Sequence, residues 1–559
     1  MQHIVNGLLA HLTLILIALP IAGVCGVALV SRWGEGAIRR VALTNTLLTA
    51  VSVISMVATF DAGQSVDTRQ QSSWQIQDQF DWPQTGATVG SAKQVPPDQA
   101  LDVHIAVGID GLNLWFMVLT VGLTAVAVVI SSDEDIDKPA VYYGLLLLLE
   151  ATLLAAFCVR DMLLFCLCVE LSIVPTFFLT GLWGGLRREQ AIRTWMPFAF
   201  AGSMLVMMGV VTLAMTTIDA NPRPDAGNQH GTLLIEDLAQ QTESLLLRNQ
   251  LAAESANLAQ LRSAIYLIVW LGIAVQMGVV PFHSGNRALL CQSPLAVKLL
   301  WFGVGLKIGS CAIVRISLLL LPLGSWVAGD EVVTVAVSGS LLAGIASWLR
   351  PNVEDRLGYF TVHQMSLCMA GLFSMNVSGV AGGLLLAVGH GLSLALFVVS
   401  RNQLATQAAG AGERNVMLWM GCMSLAPVPG LATLPGTALV AAGVFLGHSN
   451  QTHPVTTLAL LLGIVAATSA LVAGLHQDRA AAQSAPQTTE VGTRASWQYR
   501  AVTSCLLCAC LGIGIGPNLV LRSLQPTVQQ LLERNRRLVR QGVSQVVQPK
   551  SLTATRAGE

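Results

Sequence analysis

Apolar stretches of about 20 residues, the length a bilayer core demands, recur along the whole of this chain. A backbone in hydrocarbon has no water to satisfy its polar groups, so each such stretch is confined to a helix. About fourteen candidate spans lie near residues 7–30, 41–61, 110–131, 140–158, 161–183, 195–217, 263–281, 295–320, 331–349, 358–376, 379–401, 416–447, 455–475 and 500–522. Only 11% of the 559 residues are charged, against about 25% in soluble domains. The fold class expected is therefore an all-α polytopic membrane protein embedded in the lipid bilayer. The net charge of zero argues against nucleic acid as a partner.

Two spans look interrupted. The twelfth is overlong and contains Pro427, Pro429 and Pro435 with several glycines, which predicts a broken or re-entrant helix. The eleventh carries Gly379, Gly382, Gly383, Gly389 and Gly391 around His390, which predicts a second break with a polar group beside it. Basic loops after the first, fifth, ninth, eleventh and thirteenth spans fall on one side if the spans alternate, which makes that side cytoplasmic. The acidic loop Asp133-Glu134-Asp135 sits on this side, and a tail with Arg534, Arg536, Arg537 and Arg540 sits on the other. Residues 62–108 read as a polar outer loop, Leu234–Leu247 as a surface helix, and the segment after the last span as an amphipathic helix lying on the membrane or on a neighbouring subunit.

Charge at membrane depth narrows the function. Glu170 lies inside the apolar run Leu163–Leu182 and Lys307 inside Leu299–Val314. An ionisable group there is costly and marks either an ion path or a salt bridge that glues helices. His390 stands between a proton relay and a helix-gluing hydrogen bond. Lys298, at the span's end, is expected to snorkel to the interface, and Arg315 to pair with an acid of a neighbouring span. The eleven cysteines are scattered through apolar blocks, and even Cys505, Cys508 and Cys510 read as helix-packing residues. No metal site or redox centre is expected in this chain.

The stretch DMLLFCLCVELSIVPTFFLTGLWGGLRR, from Asp161 to Arg188, resembles the antiporter-like membrane subunits of respiratory complex I, most closely the subunit M family. Ile109–Leu114, Leu145–Glu150, Met277–His283 with Gln292 and Pro294, Gly371–Ser374, Gly389–Ser393 and Leu434–Thr437 fit the same family in order and spacing. The resemblance implies two inverted five-helix repeats with broken helices, each forming a half-channel. It divides the chain into N-terminal spans and outer loop (1–108), an antiporter-like core (109–450), C-terminal spans (451–523) and a polar tail (524–559). It also implies a proton path in which Glu170 holds the span-five acid, Lys307 the span-eight lysine and Glu150 a span-four acid.

Several positions depart from that pattern. Gln276 stands where the family carries the lysine that pairs with the span-five acid, and Gly443 where it carries the span-twelve acid. Gln364 occupies the span-ten histidine position, with His363 displaced by one residue, about 100° around a helix. Arg287-Ala288-Leu289-Leu290 replaces the usual Pro-Asp-Ala-His. The expected path is thus Glu170, Gln276, Glu150, Lys307, His363 and His390, with titratable neighbours missing. The function expected is that of a membrane-arm subunit of a complex I-like NADH:quinone oxidoreductase, in a bacterial inner membrane, coupling proton translocation to electron transfer. NADH, FMN, iron–sulfur clusters and quinone would belong to partner subunits. A subunit of a multisubunit cation/proton antiporter and a non-pumping scaffold remain the alternatives.

Overall fold

The computed structural model describes residues 11–61, 74–81, 101–102, 104–131, 136–220, 231–251, 256–406, 411–447, 453–484 and 496–546. Among these residues, 12 helices are long and apolar enough to cross a membrane. They correspond to spans one to nine, eleven, thirteen and fourteen of the sequence reading. The tenth, Val353–Phe373, opens with Glu354 and Asp355 and carries His363 and Gln364 midway, which lowers its mean hydropathy. The twelfth is two shorter apolar helices, Val416–Leu425 and Thr433–Leu446. The break between them holds Pro427, Pro429 and Gly430, whose φ of +84° only glycine adopts freely. The acidic loop 133–135 lies outside the described residues.

The eleventh span corrects an expectation. It is one unbroken helix, Val377–Thr406, and His390 sits mid-helix rather than at a break. Its glycines serve close approach. A Cβ on Gly382 would stand 2.6 Å from the Leu439 Cβ, one on Gly389 2.5 Å from the Ala432 carbonyl, and one on Gly391 2.5 Å from the Gly303 carbonyl. Glycine thus lets the eleventh span press backbone to backbone on the eighth and the twelfth.

That packing places the chemistry. The eighth span, Leu295–Leu318, and the eleventh, Val377–Gln403, are each 94% buried over their most apolar window, against 28% and 33% for the first two spans. The outer spans take the lipid-facing role. The sixth and seventh pack through Gly202 and Gly272, each turned toward the other's carbonyl.

Most of residues 62–108 lies outside the described residues, but part is folded. Ile76–Asp81 pairs antiparallel with His104–Ile109, and a two-residue strand at Leu101–Asp102 pairs with Gly231–Thr232. The surface helix is Ile235–Leu251, with Leu238, Ala239, Leu245 and Leu246 buried.

The tail helix runs from Asn518 to Val546, so it begins ahead of residue 524. It lies along this chain itself, at the end of the bundle where span three starts and span eight ends. Trp115 Nε1 donates to Ser523 Oγ at 2.7 Å. Arg534 donates to Glu243 at 2.9 Å and to the carbonyls of Ala239 and Leu319 at 3.0 and 3.2 Å. Asn535 donates to the Leu318 carbonyl at 2.9 Å. This is the side opposite the basic loops, as strict alternation requires.

Candidate functional site

Lys307 is fully buried in an α-helical segment, Lys307–Ala312, held between two π-helical stretches, Lys298–Gly305 and Ile313–Leu318. A π-turn shifts the backbone hydrogen-bond register and is frequent at functional sites. Here the Leu306 N–H donates to the Trp301 carbonyl, five residues back, at 3.0 Å. The Phe302 carbonyl accepts instead from Lys307 Nζ, at 2.5 Å. The other partner of the amine is His390 Nδ1, at 2.9 Å. Among the described residues Lys307 has no carboxylate partner, so its charge is held by neutral acceptors alone.

The hydrogen bonds assign a tautomer to each histidine once Lys307 carries its proton. With Lys307 as an ammonium donor, Nδ1 of His390 accepts, and the ring proton sits on Nε2. His363 is different. Its Nδ1 lies 2.8 Å from Ser340 Oγ and 3.2 Å from the Ser340 carbonyl. A carbonyl only accepts, so Nδ1 of His363 donates and its Nε2 is the acceptor. Among the described residues neither Nε2 atom, both buried, has a hydrogen-bond partner. One ring thus offers a proton and the other a lone pair. Gln364, one residue on, turns instead toward the Leu425 carbonyl at 3.4 Å.

Glu170 is half-buried and accepts from Ser203 Oγ at 3.2 Å. It borders an exposed apolar face made by Leu167, Leu171, Val174 and Phe178. Gln276 is buried and lines a cavity with Val169, Trp195, Asn286 and Trp301, with room for about one water. Asn286 also lines a second such cavity, bounded by Met277, Phe302 and Leu306. It accepts from Trp301 Nε1 at 3.4 Å. Asn286 therefore stands between the two cavities, one of them lined by Gln276, a role the sequence reading missed. The signal was there, in a polar Asn-Arg pair after the seventh span. Glu150 is fully buried, and among the described residues neither carboxyl oxygen has a hydrogen-bond partner. An isolated charge there would be costly.

Two basic residues of the eighth span behave as ion-pair partners. Lys298 donates to Glu354 at 2.9 Å, and Arg401 holds the other oxygen of the same carboxylate. Arg315 lies 3.4 Å from the Asp110 carboxylate and donates to the Phe157 carbonyl at 2.9 Å. At Gly443 a Cβ would collide with the backbone of Gly379. The twelfth and eleventh spans close so tightly there that no acidic side chain has room.

Known proteins share this architecture. Residues 159–463 match the NADH:quinone oxidoreductase/Mrp antiporter transmembrane family. Chain 4 of the NADH-ubiquinone oxidoreductase of Prototheca wickerhamii is 25% identical over 447 residues, 78% of this chain and 79% of the relative. Chain 4-1 of the NAD(P)H-quinone oxidoreductase of Synechocystis sp. is 24% identical over 474 residues, 82% and 85% of the two chains. Among solved structures, a chain of respiratory complex I from Thermus thermophilus superposes with a TM-score of 0.70 at 19% identity, covering 94% of this chain and 99% of that one. A chain of the Mrp complex from Dietzia sp. gives 0.69 at 16% identity, covering 96% and 99%. The match spans more than half of the sequence and contains Glu170, Lys307, His363 and His390, and the chain belongs to the NADH:quinone oxidoreductase/Mrp antiporter transmembrane family.

Proposed function

We propose that this chain is a membrane-arm subunit of a complex I-like NADH:quinone oxidoreductase, and that it moves protons while partner subunits carry out the redox chemistry. The observation that carries this reading is Lys307. It is a fully buried amine without a carboxylate, held between π-helical stretches and joined to His390. With only neutral acceptors, its proton affinity follows whatever charge arrives nearby. A proton passed from Nζ to Nδ1 of His390 releases the Nε2 proton toward the lone pair of His363. Ser340 orients His363, and Ser203 and Asn286 support the side of Glu170 and Gln276.

Glu170 sits at the edge of an apolar face, so an adjacent membrane subunit is its natural neighbour. NADH, FMN, iron–sulfur clusters and quinone belong to the partners. The conducting core is the segment 109–450. The break between Ala256–Met277 and Ser284–Gln292, at the end of the seventh span, and the break within the twelfth stand five spans apart, which suits two five-helix repeats. A bacterial inner membrane is the location that fits such an assembly. The relatives named as quinone oxidoreductase chains favour this reading over a cation/proton antiporter, whose fold is equally similar.

The test is proton movement per electron pair in proteoliposomes that hold the assembled complex. Lys307→Ala is expected to lower it by the share this subunit carries, and Glu170→Gln to lower it in part. An unchanged ratio in both variants, with the complex intact, would leave the scaffold reading in its place.

A further inference from the structure

Tyr359 gathers basic side chains from three segments. His283 comes from the span-seven break, Arg287 from the short helix Ser284–Gln292 behind it, and Arg350 from just past the end of span nine, Gly329–Trp348. The guanidinium carbons of Arg350 and Arg287 lie 5.0 and 5.4 Å from the tyrosine ring centre, and the His283 ring lies 5.6 Å from it. Arg350 also donates to the Tyr359 hydroxyl at 2.8 Å, which fixes its head. Each of the three keeps a buried nitrogen with no hydrogen-bond partner among the described residues: Nε of Arg350, Nε of Arg287 and Nδ1 of His283. Buried polar atoms are ordinarily satisfied, so three left over around one ring point to a further partner.

The charge here does not cancel. Asp355 takes up that of Arg287, and Lys298 and Arg401 share the single carboxylate of Glu354. Arg350 has no carboxylate partner among the described residues. Neither has Arg356, which donates to the carbonyls of Arg350 and Ala470 at 2.7 Å and to Gln477 at 3.0 Å. This end of the bundle therefore keeps a fixed positive excess, on the side of the basic loops.

The cluster also borders lipid. Leu342, Ile345 and Leu349 make an exposed apolar face on span nine that runs down to Arg350, and Leu349 is 76% exposed. Trp348 beside them is exposed as well, and tryptophan favours the membrane–water interface. Across from span nine, Val280 packs on Ala343 and Tyr359, and Pro281 next to it is exposed.

We propose that this cluster binds the phosphate of an anionic phospholipid of the cytoplasmic leaflet. Arg350 supplies the uncompensated charge, Arg287 Nε and His283 Nδ1 supply further hydrogen bonds, and an acyl chain lies on Leu342, Ile345 and Leu349. A guanidinium matches phosphate geometry, and basic pockets between membrane helices on this side suit lipid headgroups. The apolar face that leads to the arginine favours a lipid over free phosphate. Tyr359 holds the arginine head before the ligand arrives, which lowers the cost of binding. The site is separate from Lys307 and does not depend on the chain moving protons.

The test uses the assembled complex in detergent with phosphatidylglycerol that carries a diazirine in one acyl chain, and maps the cross-link by peptide mass spectrometry. On wild type, label is expected in the peptide that holds residues 342–349, about tenfold above that from the same probe built on phosphatidylcholine, whose choline offsets the phosphate charge. Unlabelled phosphatidylglycerol is expected to compete and inorganic phosphate to have no effect. Arg350→Gln is expected to lower the label about tenfold, the lower end of what a charged hydrogen bond contributes, and Arg350→Lys to retain more of it. Equal labelling by the two lipids overturns the proposal, as does labelling that Arg350→Gln leaves unchanged in complex of normal subunit content. Competition by inorganic phosphate as strong as that by phosphatidylglycerol assigns the site to free phosphate and overturns the lipid. The two wild-type comparisons decide alone where a variant fails to assemble.

Discussion

Lys307 Nζ lies 2.9 Å from Nδ1 of His390, a residue 83 positions away in sequence on another helix. The contact joins two deeply enclosed spans of the bundle, and it leaves Nε2 as the imidazole nitrogen free to pass a proton on. His390→Leu removes that acceptor. A positioned proton-transfer group contributes about 100-fold or more to its step, so proton movement through this subunit is expected to fall by at least that factor. Stopped-flow measurement of proton uptake by the assembled complex checks it. His390→Asn, which keeps a polar group but cannot titrate, is expected to fail equally.

Gly443→Glu restores an acid where relatives are expected to carry one, yet it is predicted to harm rather than help. The new Cβ meets the Gly379 backbone, and a helix backbone has no rotamer with which to yield. Overpacking of this kind costs about 1–3 kcal/mol or more. Lower thermal stability and yield of the purified complex are the expected readouts, and Gly443→Ala should show most of the loss.

Asn286→Leu is nearly isosteric but apolar. It removes the acceptor of Trp301 Nε1 and the polar wall shared by the two cavities. Leaving the buried indole N–H unpaired costs about 1–3 kcal/mol. Slower coupled proton movement with a normal subunit content is expected, and Asn286→Asp should restore part of the rate.

Glu150→Gln tests a carboxyl whose two oxygens have no hydrogen-bond partner among the described residues. No hydrogen bond is lost in the exchange, so assembly and melting temperature are expected to match wild type or exceed it. Reduced proton movement in a complex of unchanged stability would assign Glu150 to the path, while unchanged movement would remove it from that path.

Arg534→Ala should loosen the tail helix. It deletes a charge-assisted hydrogen bond to Glu243 and two bonds to carbonyls, and hydrogen bonds of charged groups contribute about 1.5–3 kcal/mol. Trypsin acting at the exposed Arg536 and Arg537 is expected to cut the variant faster, with Trp115→Phe adding to the effect.

The span count was legible because hydrocarbon forces apolar residues into long runs, and the break of span twelve because prolines mark it. The eleventh span shows where such reading stops. Glycine both ends helices and lets them touch, and a run of glycines without proline does not say which; contact with Gly303, Ala432 and Leu439 decides it. Lys307, Glu170 and His390 stood out as polar residues in apolar runs. Their partners did not, since Ser203 and Ser340 look like ordinary membrane-helix residues until the fold brings them alongside. The π-helical stretches left no trace at all, because the register of a backbone hydrogen bond is set by packing rather than by composition.

That register has a mechanical consequence. A π-turn holds a surplus residue relative to an α-turn, and Lys307 has such slack on both sides. Sliding one surplus past the lysine would turn its side chain by about 100° while both ends of the helix stay anchored. Span eight can therefore re-aim its amine without rigid-body motion of the bundle, which suits a charge that must face one side and then the other.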